Sequence, residues 1–170
     1  MPIKAVIDHI DALHALHRTL LQLGERKREA LVNNQVNELA AIVNQENKLV
    51  KQVADVEAKW RAAIVHFVAA AGLRPNPSMT VSDILQLVAD PADQRRVQDS
   101  QQQLFDTIKQ IESVNANNQK LIEQSLAYIN YSLDLYTGGF GQDPIYGNPS
   151  QSGTTYNAKG KKNAWFDTRA

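Results

Sequence analysis

The sequence of 170 residues contains no cysteine and carries a formal net charge of +0. Without cysteine there is no disulfide framework, no thiolate nucleophile and no cysteine-ligated zinc site. A balanced charge gives no reason to expect nucleic acid or an anionic membrane surface as a partner. The two short basic clusters lack the interleaved aromatic residues of a nucleic-acid footprint, so we expect no nucleic-acid partner.

Long hydrophobic runs are also missing. The N-terminal segment is interrupted by Asp8 and Asp11, where a signal peptide needs an apolar stretch. The most apolar segment, residues 62–72, is too short to span a bilayer and contains His66. We therefore expect a cytoplasmic protein with no stable membrane insertion.

Motifs for catalysis are absent from the sequence. There is no Gly-x-Ser-x-Gly elbow, phosphate loop or dinucleotide fingerprint. Asp11 and His14 have the carboxylate-x-x-His spacing of di-metal sites in helical bundles, but no second pair of this kind accompanies them. We expect a protein that is not an enzyme and that holds no metal or cofactor.

Glycine and proline are scarce before residue 137, and apolar residues recur there every three or four positions. This pattern predicts three long amphipathic helices. Lengths of roughly 28, 36 and 45 residues would give helices of about 42, 54 and 68 Å. We predict an all-α fold with a domain over 1–136 and an irregular, Gly/Asn/Ser-rich tail over 137–170. The domain would be an elongated antiparallel helical hairpin or coiled-coil bundle of three long helices plus one short helix.

The boundary between the first two helices has two interpretations. The apolar spacing slips at Asn33 and Asn34, which a stutter in one long helix would explain. A tight turn with Asn34 as the N-cap of a second helix would explain it too, and we prefer the turn. The second helix should end near Gly72, a natural residue to follow a helix C-terminus.

Two further helix starts have clear signals. Thr80 and Asp83 form a capping pair before a short helix predicted over Val81–Ala89. The side chains expected to close one end of the bundle are Ile84, Leu85 and Val88. Asp90 and Pro91 then have the order of an N-cap and first helical residue, and they start the longest helix.

The longest helix has three asparagines near its centre. In a continuous register Asn115 and Asn118 fall on the seam, and Asn117 points outward. A polar seam residue costs stability but fixes register, because its amide must find a partner. Lys27 and Glu46 are the seam residues of the other helices that could pair with it. A hydrated layer in the bundle and a functional polar site both remain open as interpretations.

Two segments resemble the FlgN family of flagellar export chaperones. They are VNANNQKLIEQSLAYINYSLDLY in the longest helix and TYNAKG in the tail, whereas the ending NAWFDTRA matches nothing in the family pattern. The resemblance implies a cytosolic chaperone that uses no ATP or metal. It would bind hook-associated proteins of the hook–filament junction, prevent their premature assembly and deliver them to the export gate. In the family, substrate binding is associated with the C-terminal part of the molecule.

The longest helix should outrun its partners and expose apolar surface, which agrees with this role. The predicted substrate face consists of Leu121, Ile122, Leu126, Tyr128, Ile129, Leu133 and Tyr136. The tail aromatics Tyr156, Trp165 and Phe166 are spaced like anchors of a docking segment, and Tyr156 is the candidate contact for the gate. Tail aromatics that cover the substrate face are an open alternative. So is a structural coiled-coil protein that uses the same seam to form a homo-oligomer.

Overall fold

The computed structural model describes residues 2–76 and 78–138, and the regular secondary structure of these residues is entirely helical. The helices are α1 (Pro2–Val32), α2 (Val36–Ala70), α3 (Val81–Leu87) and α4 (Pro91–Gly138). The all-α class is therefore confirmed. The chain divides into two units, residues 1–132 and 133–170. The predicted domain boundary between residues 136 and 137 stays a prediction.

α1 and α2 are separate helices joined by a tight turn, so the stutter is excluded. Asn34 has a φ of 53°, in the left-handed region that asparagine tolerates better than most residues. The Gln35 amide donates to the Ala30 carbonyl at 2.9 Å and the Asn34 amide to the Leu31 carbonyl at 3.4 Å, which is a Schellman motif. Asn34 thus ends α1, and the prediction that it is the N-cap of α2 is wrong. Gln35 occupies that position.

The two helices run in opposite directions. Next to the turn, Arg26 pairs with Glu38. Farther along, the Lys27 Nζ lies 2.5 Å from the Glu46 Oε2. At the other end, residues from the start of α1 share one apolar cluster with Phe67 and Val68 from the end of α2.

The helix boundaries predicted from residue 72 onwards are confirmed at the end of α2 and at the starts of α3 and α4. Gly72 has a φ of 78° and its amide donates to the Ala69 carbonyl at 3.0 Å, so it terminates α2 as expected. Thr80 and Asp83 form a reciprocal capping box at the start of α3. The Asp90 Oδ1 accepts from the Ala92 amide at 2.9 Å, which caps α4.

α3 is two residues shorter than predicted. Val88 follows it with an extended backbone and carries its side chain into the core, where it is 4% exposed. The other α3 residues expected to close the bundle also pack there, with Ile84 buried and Leu85 beside it. The predicted packing of these side chains is thus observed, whereas the role of α3 in closing one end of a bundle stays a prediction.

Two apolar clusters hold residues 2–132 together, and they draw on different helices. The first contains buried residues from all four helices: Ile3, Val6, Ile7, Ile10, Phe67, Val68, Ile84, Val88 and Val97. The second contains Leu23, Ala30 and Ile42, which come from α1 and α2. α4 therefore shares the first core and contributes no buried residue to the second.

Candidate protein-binding surface

Beyond the first core, polar contacts join α4 to α1. The Ser100 Oγ donates to the Asp11 Oδ1 at 2.6 Å, and the Asn118 Nδ2 donates to the Gly24 carbonyl at 2.8 Å. Between them, the His14 Nε2 lies 3.1 Å from the Thr107 Oγ1. In these pairs, a higher residue number on α1 goes with a higher residue number on α4, so α1 and α4 run in the same direction.

Gly24 marks a close approach of α4 to α1. A Cβ built on this glycine would lie 3.1 Å from the Val114 Cγ1, closer than side chains normally pack. Glycine inside a helix costs roughly 0.5–1 kcal/mol relative to alanine, so its presence here needs a reason. The missing side chain lets Val114 and Asn118 reach the α1 backbone. In the sequence, the signal was a single glycine inside an otherwise unbroken helical pattern.

The asparagines of α4 lie in different environments. Asn118 is 2% exposed, so its predicted place in the seam is confirmed. Asn117 is exposed, as predicted. Asn115 is exposed too, but its Oδ1 would lie 3.9 Å from a Cβ built on Gly24 of α1, so its place in the seam stays a prediction. Asn115 therefore lies at the edge of the α1–α4 contact rather than inside it. Lys27 and Glu46 pair with each other rather than with an asparagine. The register-setting role of Asn115 and Asn118 stays a prediction.

The Asn118 side chain is only half satisfied. Its Nδ2 has the Gly24 carbonyl as partner, whereas its buried Oδ1 has no hydrogen-bond partner among the residues that the structure describes. A buried polar atom without a partner costs roughly 1–3 kcal/mol. The polar contact at the end of the α1–α4 interface therefore adds little net stability.

His14 is the titratable group of this interface whose ionisation is perturbed. Burial lowers the pKa of His14 below its usual value of 6.5, and the nearby Arg18 and His17 lower it further while Asp11 raises it. The imidazole is therefore neutral at pH 7 and shares a hydrogen bond with Thr107. No group of three metal-ligating side chains occurs within residues 2–76 and 78–138.

After Asn118, the described part of α4 has no buried residue. Leu121 and Ile122 are half-buried, whereas Leu126 is 55% exposed and Ile129 51%. We define the α4 apolar surface by its exposed side chains within residues 119–132, which are Leu126, Tyr128, Ile129 and Tyr131. The remaining predicted face residues, Leu133 and Tyr136, belong to the second unit and are exposed as well, as is Leu135.

The helix register explains where the exposure begins. Gly24 of α1 pairs with a residue 94 positions later, Asn118. Gly24 also faces Val114, 90 positions later, so the two offsets place Val32, the last residue of α1, level with the stretch from Ile122 to Leu126. From Leu126 to Ser132, α1 has no further residues to lie alongside α4. The α4 apolar surface thus lies on the part of α4 that extends beyond the end of α1.

The FlgN protein family matches residues 1–164 of this chain. The chain belongs to the FlgN family. This is the family of flagellar export chaperones, so the predicted resemblance is confirmed and the protein falls in a chaperone family rather than an enzyme family.

This FlgN-family chain is also similar to YvyG, an uncharacterized protein of Bacillus subtilis (strain 168). The two are 25% identical over 138 residues, which cover 79% of this chain and 81% of YvyG. No solved structure matches the chain significantly.

Two further expectations about this FlgN-family protein concern the tail anchors and membrane insertion. The tail anchors Tyr156, Trp165 and Phe166 lie outside the described residues. For membrane insertion, none of the described helices combines the length and apolarity that crossing a bilayer requires.

Proposed function

We propose that this protein is a cytoplasmic chaperone that binds hook-associated proteins, prevents their premature assembly and delivers them to the flagellar export gate. One observation carries the proposal: α4 has no buried residue after Asn118 and exposes large apolar side chains instead. Monomeric proteins seldom expose a contiguous apolar patch without using it for binding. Membership of the FlgN family supports the same role. Residues up to 132 would form the predicted antiparallel hairpin bundle that carries this surface.

A helical client segment is the partner that suits the surface. Ile122, Leu126 and Ile129 follow a spacing of four and three residues, which puts them on one side of α4. An amphipathic client helix would bury this row as in other helix-in-groove complexes. Fully burying a leucine or isoleucine side chain contributes roughly 1.5–3 kcal/mol, so burying the two half-exposed ones together would contribute about that much to binding.

The remaining predicted residues complete the proposal. Tyr128 and Tyr131 are exposed beside the row and would add rigid contact area with a polar end. Leu121, Leu133 and Tyr136 extend the proposed client face. In the tail, Tyr156 is the proposed contact for the export gate, and Trp165 and Phe166 are proposed anchors.

A double substitution tests the client face. We expect Leu126→Gln with Ile129→Gln to weaken binding of a hook-associated protein's terminal helix about 100-fold, because each change removes about 1.4 kcal/mol of apolar contact. Calorimetric titration of the full chain measures the affinity, and circular dichroism checks that the helices remain. Leu73→Gln is the control, since Leu73 is also exposed (48%) but lies outside α4. A double variant that stays helical and binds like the control would refute the assignment.

The gate contact is tested separately. Tyr156→Ala should weaken binding to the gate and leave client affinity unchanged, because Tyr156 lies outside the proposed client face. Tyr146→Ala, an aromatic change in the same tail, is the matched control. Equal gate binding by both variants and the unchanged chain would eliminate Tyr156 as the contact.

Self-association is the second candidate, because the same exposed α4 side chains could pair two copies of the chain. Sedimentation of the isolated protein distinguishes the two functions. A stable higher oligomer without affinity for hook-associated proteins would favour a structural coiled-coil protein. A chain that remains monomeric on dilution and still binds a hook-associated protein would favour the chaperone function.

A further inference from the structure

A second row of exposed apolar residues lies on α2. Val36, Val43 and Val50 are seven residues apart, and this interval keeps them on one side of the helix. They are 73%, 40% and 54% exposed. We call these three residues the valine stripe.

The same side of α2 is covered farther along the helix. Continuing the interval of seven residues leads to Glu57, which is 8% exposed, and to Ile64, which packs against the first core. That core includes Val97 of α4 and Ile84 of α3. The valine stripe is thus the uncovered continuation of an interface that other helices fill at the opposite end of α2.

The stripe has the composition of a helix-packing seam. Ala40, Asn47 and Ala54 alternate with the valines at spacings of four and three residues, the heptad pattern of a coiled coil. Alanines let a neighbouring helix approach closely, and the asparagine fixes its register. A separate seam of α2, which includes Leu39, Ile42 and Leu49, packs in the second core with α1. α2 therefore has two adjacent seams, and α1 fills one.

Charge indicates the chemistry of the missing helix. Glu38 and Glu46 pair with Arg26 and Lys27 of α1. On the outer side of the stripe, Lys48 and Lys51 are exposed and form no ion pair within the described part of the chain. Asp55 follows Lys51 by four residues, so the cationic stretch is short. A parallel symmetric contact between the stripes of two copies would bring these lysines together and is disfavoured.

We propose that the valine stripe binds an amphipathic helix of another protein, with apolar residues every three or four positions and acidic residues along its flank. This surface lies on α2 and is separate from the proposed client face on α4, so the inference goes beyond the proposed function. Continuity with the covered half of α2 supports a helix as the occupant. Lys48 and Lys51 support its acidic flank.

Two designed peptides serve as probes. Each is a labelled helix of about four heptads with leucine at both core positions. One carries glutamate at the flanking positions and the other carries lysine. Fluorescence anisotropy measures their binding to the full chain and to the variant Leu126→Gln with Ile129→Gln, which lacks the proposed client face. We expect tighter binding of the glutamate peptide, to the same extent in both proteins.

The stripe has a matched control on the same helix. Val50→Gln should weaken the glutamate peptide about five- to tenfold, because it removes about 1 kcal/mol of apolar contact. Val65→Gln should leave binding unchanged, since Val65 is exposed to a similar extent (51%) but lies off the stripe. Lys48→Glu with Lys51→Glu should reverse the preference in favour of the lysine peptide, with an effect that shrinks as salt is added.

Four results would overturn the proposal. Equal binding by the Val50→Gln and Val65→Gln variants would remove the stripe from the binding surface. Equal affinity for both peptides would refute the proposal that the partner helix has an acidic flank. A dimer of the isolated protein that Val50→Gln dissociates in sedimentation would make a second copy the occupant. Displacement of the peptide by a client helix would make the stripe part of the client site.

Discussion

α4 consists of two stretches with similar spacing of apolar residues and different surroundings. Up to Asn118 it places a side chain against α1 at intervals, with Val97, Ser100, Thr107 and Asn118 all buried. After Asn118 it buries none within the described residues. The chain is helical across both stretches, so continuity of a helix does not imply continuity of its packing.

The apolar content of α4 does not cause this difference. The first stretch has Leu104, Ile108 and Ile111, and the second has Ile122, Leu126 and Ile129 at equivalent spacing. What changes is the neighbour, because α1 ends at Val32, which the register places level with the stretch from Ile122 to Leu126. An apolar residue stabilises the fold where a neighbour covers it, and it is free to bind another protein where none does.

The largest expected contrast is between Val97 and Leu126. Val97 is fully buried in the first core, so Val97→Ala should lower the free energy of unfolding by about 2 kcal/mol through lost contacts and a residual cavity. Leu126→Ala should change it by less than about 0.5 kcal/mol, because Leu126 is more than half exposed. Urea unfolding followed by circular dichroism measures both. Similar losses for the two variants would mean that the second stretch of α4 is packed after all.

The next contrast concerns the close approach at Gly24. Gly24→Leu should destabilise the protein by roughly 1–3 kcal/mol, because the new side chain must displace Val114. Gly24→Ala should be nearly neutral, since its gain in helix propensity offsets a contact of 3.1 Å. The same unfolding experiment compares them. If Gly24→Leu is tolerated, α4 does not approach α1 closely at this level.

Local signals were sufficient to predict most element boundaries of this fold. Gly72, the Thr80–Asp83 pair and Asp90–Pro91 each act through their own backbone or a residue a few positions away. Asn34 shows the limit, because asparagine suits both an N-cap and a left-handed residue at the end of a helix. The hydrogen bonds of the turn decide between these positions, and a sequence pattern does not contain them.

The exposed apolar surfaces were harder to predict, because exposure depends on where neighbouring helices end. The substrate face was placed on α4 from helix lengths, and Leu126 and Ile129 are indeed exposed, whereas Leu121 and Ile122 are half-buried. Whether that face binds a client stays a prediction. The sequence pattern does not separate the valine stripe from the face of α2 that packs on α1, since one helical pattern does not tell two adjacent seams apart.

A smaller contrast separates the two asparagines. Asn118→Ala should cost about 1 kcal/mol, because it removes the hydrogen bond to the Gly24 carbonyl but also removes an unpartnered buried oxygen. Asn115→Ala should cost nothing measurable, since Asn115 is exposed and alanine is the better helix former. Equal effects in urea unfolding would move the end of the α1–α4 interface away from Asn118.

The smallest effect concerns His14, which lies in the packed stretch and depends on pH. Folding lowers its pKa below 6.5, so the unfolded chain binds the proton more readily. The stability due to neutral His14 is therefore fully present above pH 6.5 and is lost as pH falls through the lowered pKa.

His14→Gln removes this titration while keeping a polar group near Thr107. Between pH 8 and pH 5 the unchanged protein should lose slightly more unfolding free energy than this variant. His66→Gln, at an exposed histidine of α2, is the control. A His14→Gln variant with the same pH dependence as the unchanged protein would show that His14 is not desolvated, and that α4 packs less closely on α1 at Thr107 than at Asn118.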